Sequence, residues 1–200
     1  MPNHDELRPV GLRERKKART RASIQEHALR LFREHGYGAT TVQQIIDACE
    51  ISESTFFRYF PAKADVVLSD DFDPLIVEAF LSQPRELTSI QALRAAFRIA
   101  FARLSESEKF TMRERMHLVF AVPDLRAAML DQLAAAMHLL ADVVAQRTGR
   151  TPEDLTVRIF SGSVVGAVMA VAFAAATTPN PDIATLLDEA LSELESGFGL

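Results

Sequence analysis

The sequence predicts an all-α protein in two parts: an N-terminal three-helix helix-turn-helix domain followed by a C-terminal helical bundle. Three observations predict it. Apolar residues recur at helical spacing along most of the chain, and no stretch alternates as a strand would. Residues 40–64 carry two short helix patterns joined by a tight turn. A basic segment precedes that pair, although the whole chain has a net charge of −5. One basic end on an acidic body suits a protein that meets an anionic polymer at that end only.

Residues 1–12 are polar, contain Pro2 and Pro9, and are expected to form a disordered tail. Domains are expected over residues 13–68 and 69–200. Seven basic residues lie between Arg8 and Ala22, against one acid, Glu14. Of these, Lys16, Lys17, Arg19 and Arg21 open the first helix and are candidates for phosphate or minor-groove contact. That helix is expected from about Arg15 or Thr20 to His35. Ile24, Ala28, Leu31 and Phe32 form its stripe, and Gly36 is its left-handed C-cap.

Thr41-x-x-Gln44 reads as a capping box. Val42, Ile45, Ile46 and Cys49 then share one face. Cys49 is the single cysteine, so no internal disulfide can form, which fits a reducing cytoplasm. Glu50 and Ile51 make the turn, and Ser52 caps the next helix, expected over Glu53–Phe60. Pro61 stops it. Phe56 and Phe60 are assigned to the core. Thr41 offers a hydroxyl and free N–H groups to a phosphate. Glu53 and Ser54 lie where a recognition helix reads base edges, and a Glu can accept from a cytosine amino group. Thr55 and Tyr59 offer hydroxyls to the DNA backbone, and Arg58 is a further contact. Lys63, in the first turn of another helix, opposes the helix dipole and so suggests an outside anion.

The run G-Y-x-A-T-T-V-x-x-I, followed by I-S-x-S-T-F-F-R-Y-F-P-x-K, resembles the N-terminal domain of the TetR family of bacterial transcriptional regulators. The resemblance covers about residues 13–68. It implies base contacts from Glu53, Ser54 and Phe57, and phosphate contacts from Thr41, Thr55, Tyr59 and Lys63. The family often has Tyr where this chain has Phe57, which leaves an apolar face suited to a thymine methyl. The resemblance also implies a C-terminal ligand-binding and dimerisation bundle, a homodimer and double-stranded operator DNA. The wording F-F-R-Y-F-P-x-K-A-D-V-V is similar to a branch that includes mycofactocin-locus regulators, which implies an acyl-CoA or other long apolar effector.

Asp70-Asp71-Phe72-Asp73-Pro74 is read as a break and a hinge, with Ser69 or Asp73 as N-cap and Pro74 at N1, rather than as a metal site. Helices are then expected over Pro74–Ser82, from Ser89 as cap to Leu104, and over Glu106–Val122. Pro123 starts a long one to Thr148, closed by Gly149. Thr151-Pro152 opens another to Ala176, and a Pro179-Asn180-Pro181 turn leads to the last, Asp182–Ser196. Phe97, Phe101, Met112, Met116, Phe120, Met137, Phe160, Met169 and Phe173 are candidates for an apolar ligand pocket, because Met and Phe walls adapt to apolar guests. Arg113, Arg115, His117 and His138 are candidates for a polar head.

The helix ending at Ala176 is apolar nearly all round from Val164, so burial on every side is expected. Ser161, Val165 and Met169, with Ile183, Leu187, Leu191 and Leu194 of the last helix, are candidates for a twofold four-helix interface. The run Val164–Ala176 is too short for a membrane span. No metal-spaced ligands, phosphate loop or convergent catalytic set is present, so no cofactor and no enzyme activity are expected. The alternative reading is a helical adaptor or ligand-binding protein without sequence-specific DNA binding.

Overall fold

The structure, a computed structural model, describes residues 12–69, 72–178 and 181–199. The described residues form ten helices and no strand: α1 (Leu12–His35), α2 (Val42–Cys49), α3 (Glu53–Tyr59), α4 (Lys63–Leu68), α5 (Phe72–Leu81), α6 (Ser89–Arg103), α7 (Glu106–Ala121), α8 (Pro123–Thr148), α9 (Leu155–Thr177) and α10 (Ile183–Ser196). This is the all-α architecture expected from the periodicity. Packing groups the chain into one unit up to Val67 and another from Leu68 on. The expected tail up to residue 11, the Asp70-Asp71 break and Pro179-Asn180 lie outside the described residues.

In the N-terminal unit, α1 packs on α2 and α2 on α3. Ile24, Ala28, Leu29 and Phe32 of α1, Ile45 and Ile46 of α2 and Phe56 of α3 are all buried. Phe60, Val66 and Val67 complete the core. Tyr37 is buried too, its ring centroid 5.1 Å from that of Phe32. Thr40, buried and polar, is satisfied locally. Its hydroxyl donates to the carbonyls of Leu31 at 3.3 Å and Gly36 at 2.9 Å, which fixes the Gly36–Thr40 turn. Gly36 adopts φ +82°, the left-handed conformation that glycine takes at least cost.

In the C-terminal unit, α5 packs on α6, α9 lies between α8 and α10, and α10 returns onto α6. The core is built from Phe80, Leu93, Ala96, Phe101, Val143, Val144, Val157, Val164, Val171, Leu187 and Leu191. Arg94 of α6 holds α10: it makes a paired contact with Asp188 at 2.9 and 3.0 Å and reaches Glu195 at 2.8 Å. Arg147, near the end of α8, donates to the carbonyls of Gln83, Pro84 and Leu87, so one side chain closes the α5–α6 loop.

Several helix starts differ from expectation. Thr88, not Ser89, caps α6, in a capping box with Gln91. Ser105 and Glu108 form a second such box at α7 that the sequence reading missed. Asp154, not Thr151, caps α9, because its carboxylate reaches the Thr156 N–H at 2.8 Å. Pro74 sits third in α5 rather than first, which a helix tolerates because first-turn N–H groups have no intrahelical partner.

Candidate nucleic-acid interface and effector cleft

The seven residues of α3 divide cleanly by face. Phe56 and the following Phe60 are fully buried, whereas Glu53, Ser54, Phe57 and Arg58 are exposed. Thr55 and Tyr59 are half-buried at the edge. A helix this short is marginal alone, so its ends need partners. At the start, the Ser52 hydroxyl accepts from the Thr55 N–H at 3.2 Å. It also lies 3.1 Å from the Ser54 hydroxyl and 2.9 Å from that of Thr55. Glu53 in the first turn complements the helix dipole. Phe57 is 44% exposed, a large apolar ring facing water beside two polar side chains.

Thr41 is exposed at the start of α2, and the capping box expected there is formed. Its N–H donates to Gln44 Oε1 at 2.8 Å, and its Oγ1 accepts from the Gln44 N–H at 3.2 Å. The box leaves the Val42 and Gln43 N–H groups without intrahelical partners, an arrangement that suits an anion. Cys49, at the other end of α2, is half-buried, and burial pushes its thiol up from its ordinary value. It is a packing residue with reduced thiolate character.

The four basic candidates of α1 separate. Lys16, Lys17 and Arg19 are exposed. Arg21 turns inward: its guanidinium lies 4.5 Å from the Phe60 ring centroid and donates to the Tyr59 carbonyl at 3.2 Å. Lys63 is also held within the fold, which accounts for its place in the first turn of α4 without calling on an outside anion. Its Nζ donates to the carbonyls of Tyr37 at 2.8 Å and Thr40 at 2.9 Å and lies over the Tyr37 ring.

Residues 24–69, which contain α2 and α3, match the family described as bacterial regulatory proteins, tetR family. Residues 87–199, more than half the chain, match the family described as the MftR C-terminal domain. The HTH-type transcriptional regulator TcmR of Streptomyces glaucescens is 34% identical over 151 residues, 72% of this chain and 67% of that one. The chain belongs to the tetR family. A second tetR-family relative, the putative mycofactocin biosynthesis transcriptional regulator MftR of Mycobacterium tuberculosis, is 28% identical over 157 residues, 78% of this chain and 79% of that one. Among solved structures, Thermus thermophilus FadR, a tetR-family repressor in complex with lauroyl-CoA, is 26% identical with a TM-score of 0.56, covering 90% of this chain and 95% of that one. A protein described as a putative TetR-family transcriptional regulator from Syntrophomonas wolfei shares the fold at a TM-score of 0.62 and 18% identity, over 91% of this chain and 96% of that one. This tetR-family chain is a DNA-binding, ligand-responsive transcriptional regulator.

The nine pocket candidates of this tetR-family chain differ in their surroundings. Phe101 is buried in the core, with Phe97, Met112 and Phe160 packed against it. The rings of Phe120 and Phe173 meet at a tilt of 40° with centroids 4.4 Å apart. Met137 is partly exposed, its Sδ 3.8 Å from where a Cβ on Gly162 would stand. Met169 is half-buried. Met116 lines a cleft of the C-terminal unit. That cleft, of about 170 Å³, is bounded by Arg113, Met116 and His117 of α7, by Ala175, Ala176 and Thr178, and by Pro181 and Ile183. Core and pocket draw on the same residue types, so composition could not separate them.

The interface candidates are corrected in part. Ser161, Leu187 and Leu191 are 1%, 3% and 0% exposed within a single chain, so they cannot meet a second copy. Val165, Met169, Ile183 and Leu194 are half-buried. The expectation that α9 is buried on every side also fails for the single chain. Val157, Ser161, Val164, Val171 and Ala175 form its inner face. Leu155, Ile159 and Phe173 are 70%, 59% and 52% exposed, and with Gly166 they share an opposite face. α9 has 23 residues with a mean hydropathy of 2.1 over an 18-residue window. It is therefore long enough to cross a bilayer by length and composition alone, unlike the shorter run read from the sequence. No cluster of metal-ligating side chains occurs among the described residues.

Proposed function

We propose that the chain acts as a homodimeric repressor that binds a palindromic operator through α2 and α3 and is released by an amphipathic effector held in the C-terminal unit. The observation that carries the reading is the division of α3. Two aromatic anchors are fully buried, and Glu53, Ser54, Phe57 and Arg58 all face outward behind a capped N-terminus. In this reading Glu53, Ser54 and Phe57 contact bases. Thr41, Thr55, Arg58 and Tyr59, with Lys16, Lys17 and Arg19, contact phosphates.

The partner copy is read onto the outer face of α9. Leu155, Ile159 and Phe173 are large and apolar there, and Gly162, Gly166 and Ala170 at intervals of four permit close helix approach. Covering this face against its twofold mate would remove it from water, and it would also account for a span-length apolar helix outside a membrane. Operation in the bacterial cytoplasm by binding alone, without catalysis, accords with the regulators to which the chain is similar.

The effector is read as an apolar chain with an anionic head. Arg113 and His117 line the α7 cleft together with Met116, Ala175, Ala176 and Ile183. The lauroyl-CoA held by FadR supports a long-chain acyl thioester as the class to try first. At about 170 Å³ the cleft holds a head group or a short chain, so a long chain requires it to widen.

Fluorescence anisotropy tests the whole reading. Full-length protein is used to select duplexes from a randomised pool, and the recovered duplex is titrated against a scrambled one and then with acyl-CoAs of increasing length. A palindromic winner that resists the scrambled competitor and is released by a long-chain thioester supports the reading. Equal affinity for all duplexes would favour the adaptor alternative.

A further inference from the structure

The exposed basic residues of α1 and the inward Arg21 carry the same formal charge but have different surroundings. Tyr59 is the last residue of α3, so its carbonyl is one of the four at that end with no partner in the helix. The chain cannot continue the helix to satisfy them, because Phe60 is extended (φ −138°, ψ 102°) and Pro61 follows. Phe60 itself donates back to Phe56 at 2.9 Å. Arg21 comes from 38 positions earlier in the chain and donates to that carbonyl at 3.2 Å. A cation at this end also complements the negative pole of the helix. Its guanidinium carbon lies over the Phe60 ring, which is fully buried. One turn along α1, Gln25 repeats the arrangement and donates to the Val66 carbonyl of α4 at 3.2 Å. The two side chains stand four residues apart on one face of α1 and tie down the elements on either side of Pro61.

We propose that Arg21 is a positioning residue for DNA reading. It closes the C-terminus of α3 from α1, fixes the angle at which the outward face of α3, with Glu53, Ser54 and Phe57, is presented, and does not itself neutralise a phosphate. The mechanism makes its effect on binding different from that of a phosphate ligand. Losing a phosphate contact weakens binding to every duplex and lowers the log–log salt slope by ~0.9. Losing a clamp leaves the ion count alone and loosens the fit that separates the correct sequence from others.

The inference rests on α3 being the reading element, and the experiment keeps the two apart. Full-length Arg21→Gln and Lys17→Gln are compared with the parent on the selected duplex and a scrambled one, across a salt series and well below their melting temperatures. The parent's own discrimination tests α3 reading as such. Arg21→Gln is expected to lose roughly tenfold in discrimination, the size of a partly buried cation's effect at a helix C-terminus, with an unchanged salt slope. Lys17→Gln is expected to lower the slope and keep the discrimination. A slope lowered by about one unit in Arg21→Gln would make Arg21 a phosphate ligand and overturn the proposal, as would unchanged discrimination. Should Arg21→Gln fold poorly, Phe60→Leu removes the ring beneath the guanidinium at a residue that no DNA can touch. It is expected to show the same signature, and full parental discrimination in it would equally overturn the proposal.

Discussion

The Lys63 ammonium lies 4.2 Å from the centroid of the Tyr37 ring and donates at 2.8 Å to the carbonyl of that same residue. A second bond to Thr40 at 2.9 Å makes Lys63 the closure of the turn that leads into α2. The cation in the first turn of α4, unfavourable for that helix, is offset by two backbone dipoles and a ring face. Lys63→Met is expected to destabilise the N-terminal unit by about 1–3 kcal/mol, the cost of leaving partly buried carbonyls without donors. Urea denaturation followed by tyrosine fluorescence checks this. An unchanged midpoint would mean that the two bonds do not persist in solution.

Glu53 and Ser54 are exposed, and neither contributes to the core. Glu53→Ala and Ser54→Ala are therefore expected to leave stability within about 0.5 kcal/mol of the parent. They should alter the ranking of duplexes by about 1–3 kcal/mol at single base pairs. Repeating the pool selection with each variant reads this directly. A uniform loss over every duplex would remove them from base reading.

The outer and inner apolar residues of the dimerisation region should fail differently. Ile159→Glu places a carboxylate on the exposed face of α9 and is expected to give folded monomers in sedimentation. Leu187→Glu places one in the core, where an unpaired charge is far too costly to keep, and is expected to abolish cooperative unfolding. A dimeric Ile159→Glu would put the contact elsewhere.

Acid should loosen α10 from α6. The Arg94 guanidinium holds the carboxyls of Asp188 and Glu195 below their usual ranges, chiefly through its hydrogen bonds to them. A carboxylate lowered by folding contributes stability that is complete above its unfolded pKa, about 4, and is lost as pH falls through the folded value. Arg94→Met is expected to flatten the fall in melting temperature below about pH 4, relative to the parent, with no change in slope near neutrality. Parallel acid limbs would show that the network contributes nothing to this dependence.

Much of this fold was legible because its signals are local. The Thr41–Gln44 box, the Ser52 cap and the left-handed Gly149 each depend on a few adjacent residues, and each forms where expected. Thr88 and Asp154 were missed by one and three positions because two capping residues stood close together in each case. What the sequence could not reveal is which surface an apolar residue meets. Leu187 and Ile159 look alike in a periodic pattern, yet one faces its own chain and the other faces outward. Charge carries the same ambiguity. Lys17 and Arg21 belong to one basic run, but only the tertiary fold turns Arg21 towards Phe60. The pocket candidates differ in surroundings for a related reason, since Met and Phe fill cores as readily as they line clefts.

The division of α3 also bears on how such a regulator could acquire a new target. Folding information sits at Phe56 and Phe60, whereas the outward residues Glu53, Ser54, Phe57 and Arg58 contribute little to the packed core. The two sets interleave along a single helical stretch without sharing a side chain. Substitutions in the outward set can accumulate one at a time without passing through an unfolded ancestor. The same scaffold could then drift among operators while its effector domain stays as it is, and a library confined to those four positions would sample new specificities at nearly constant stability.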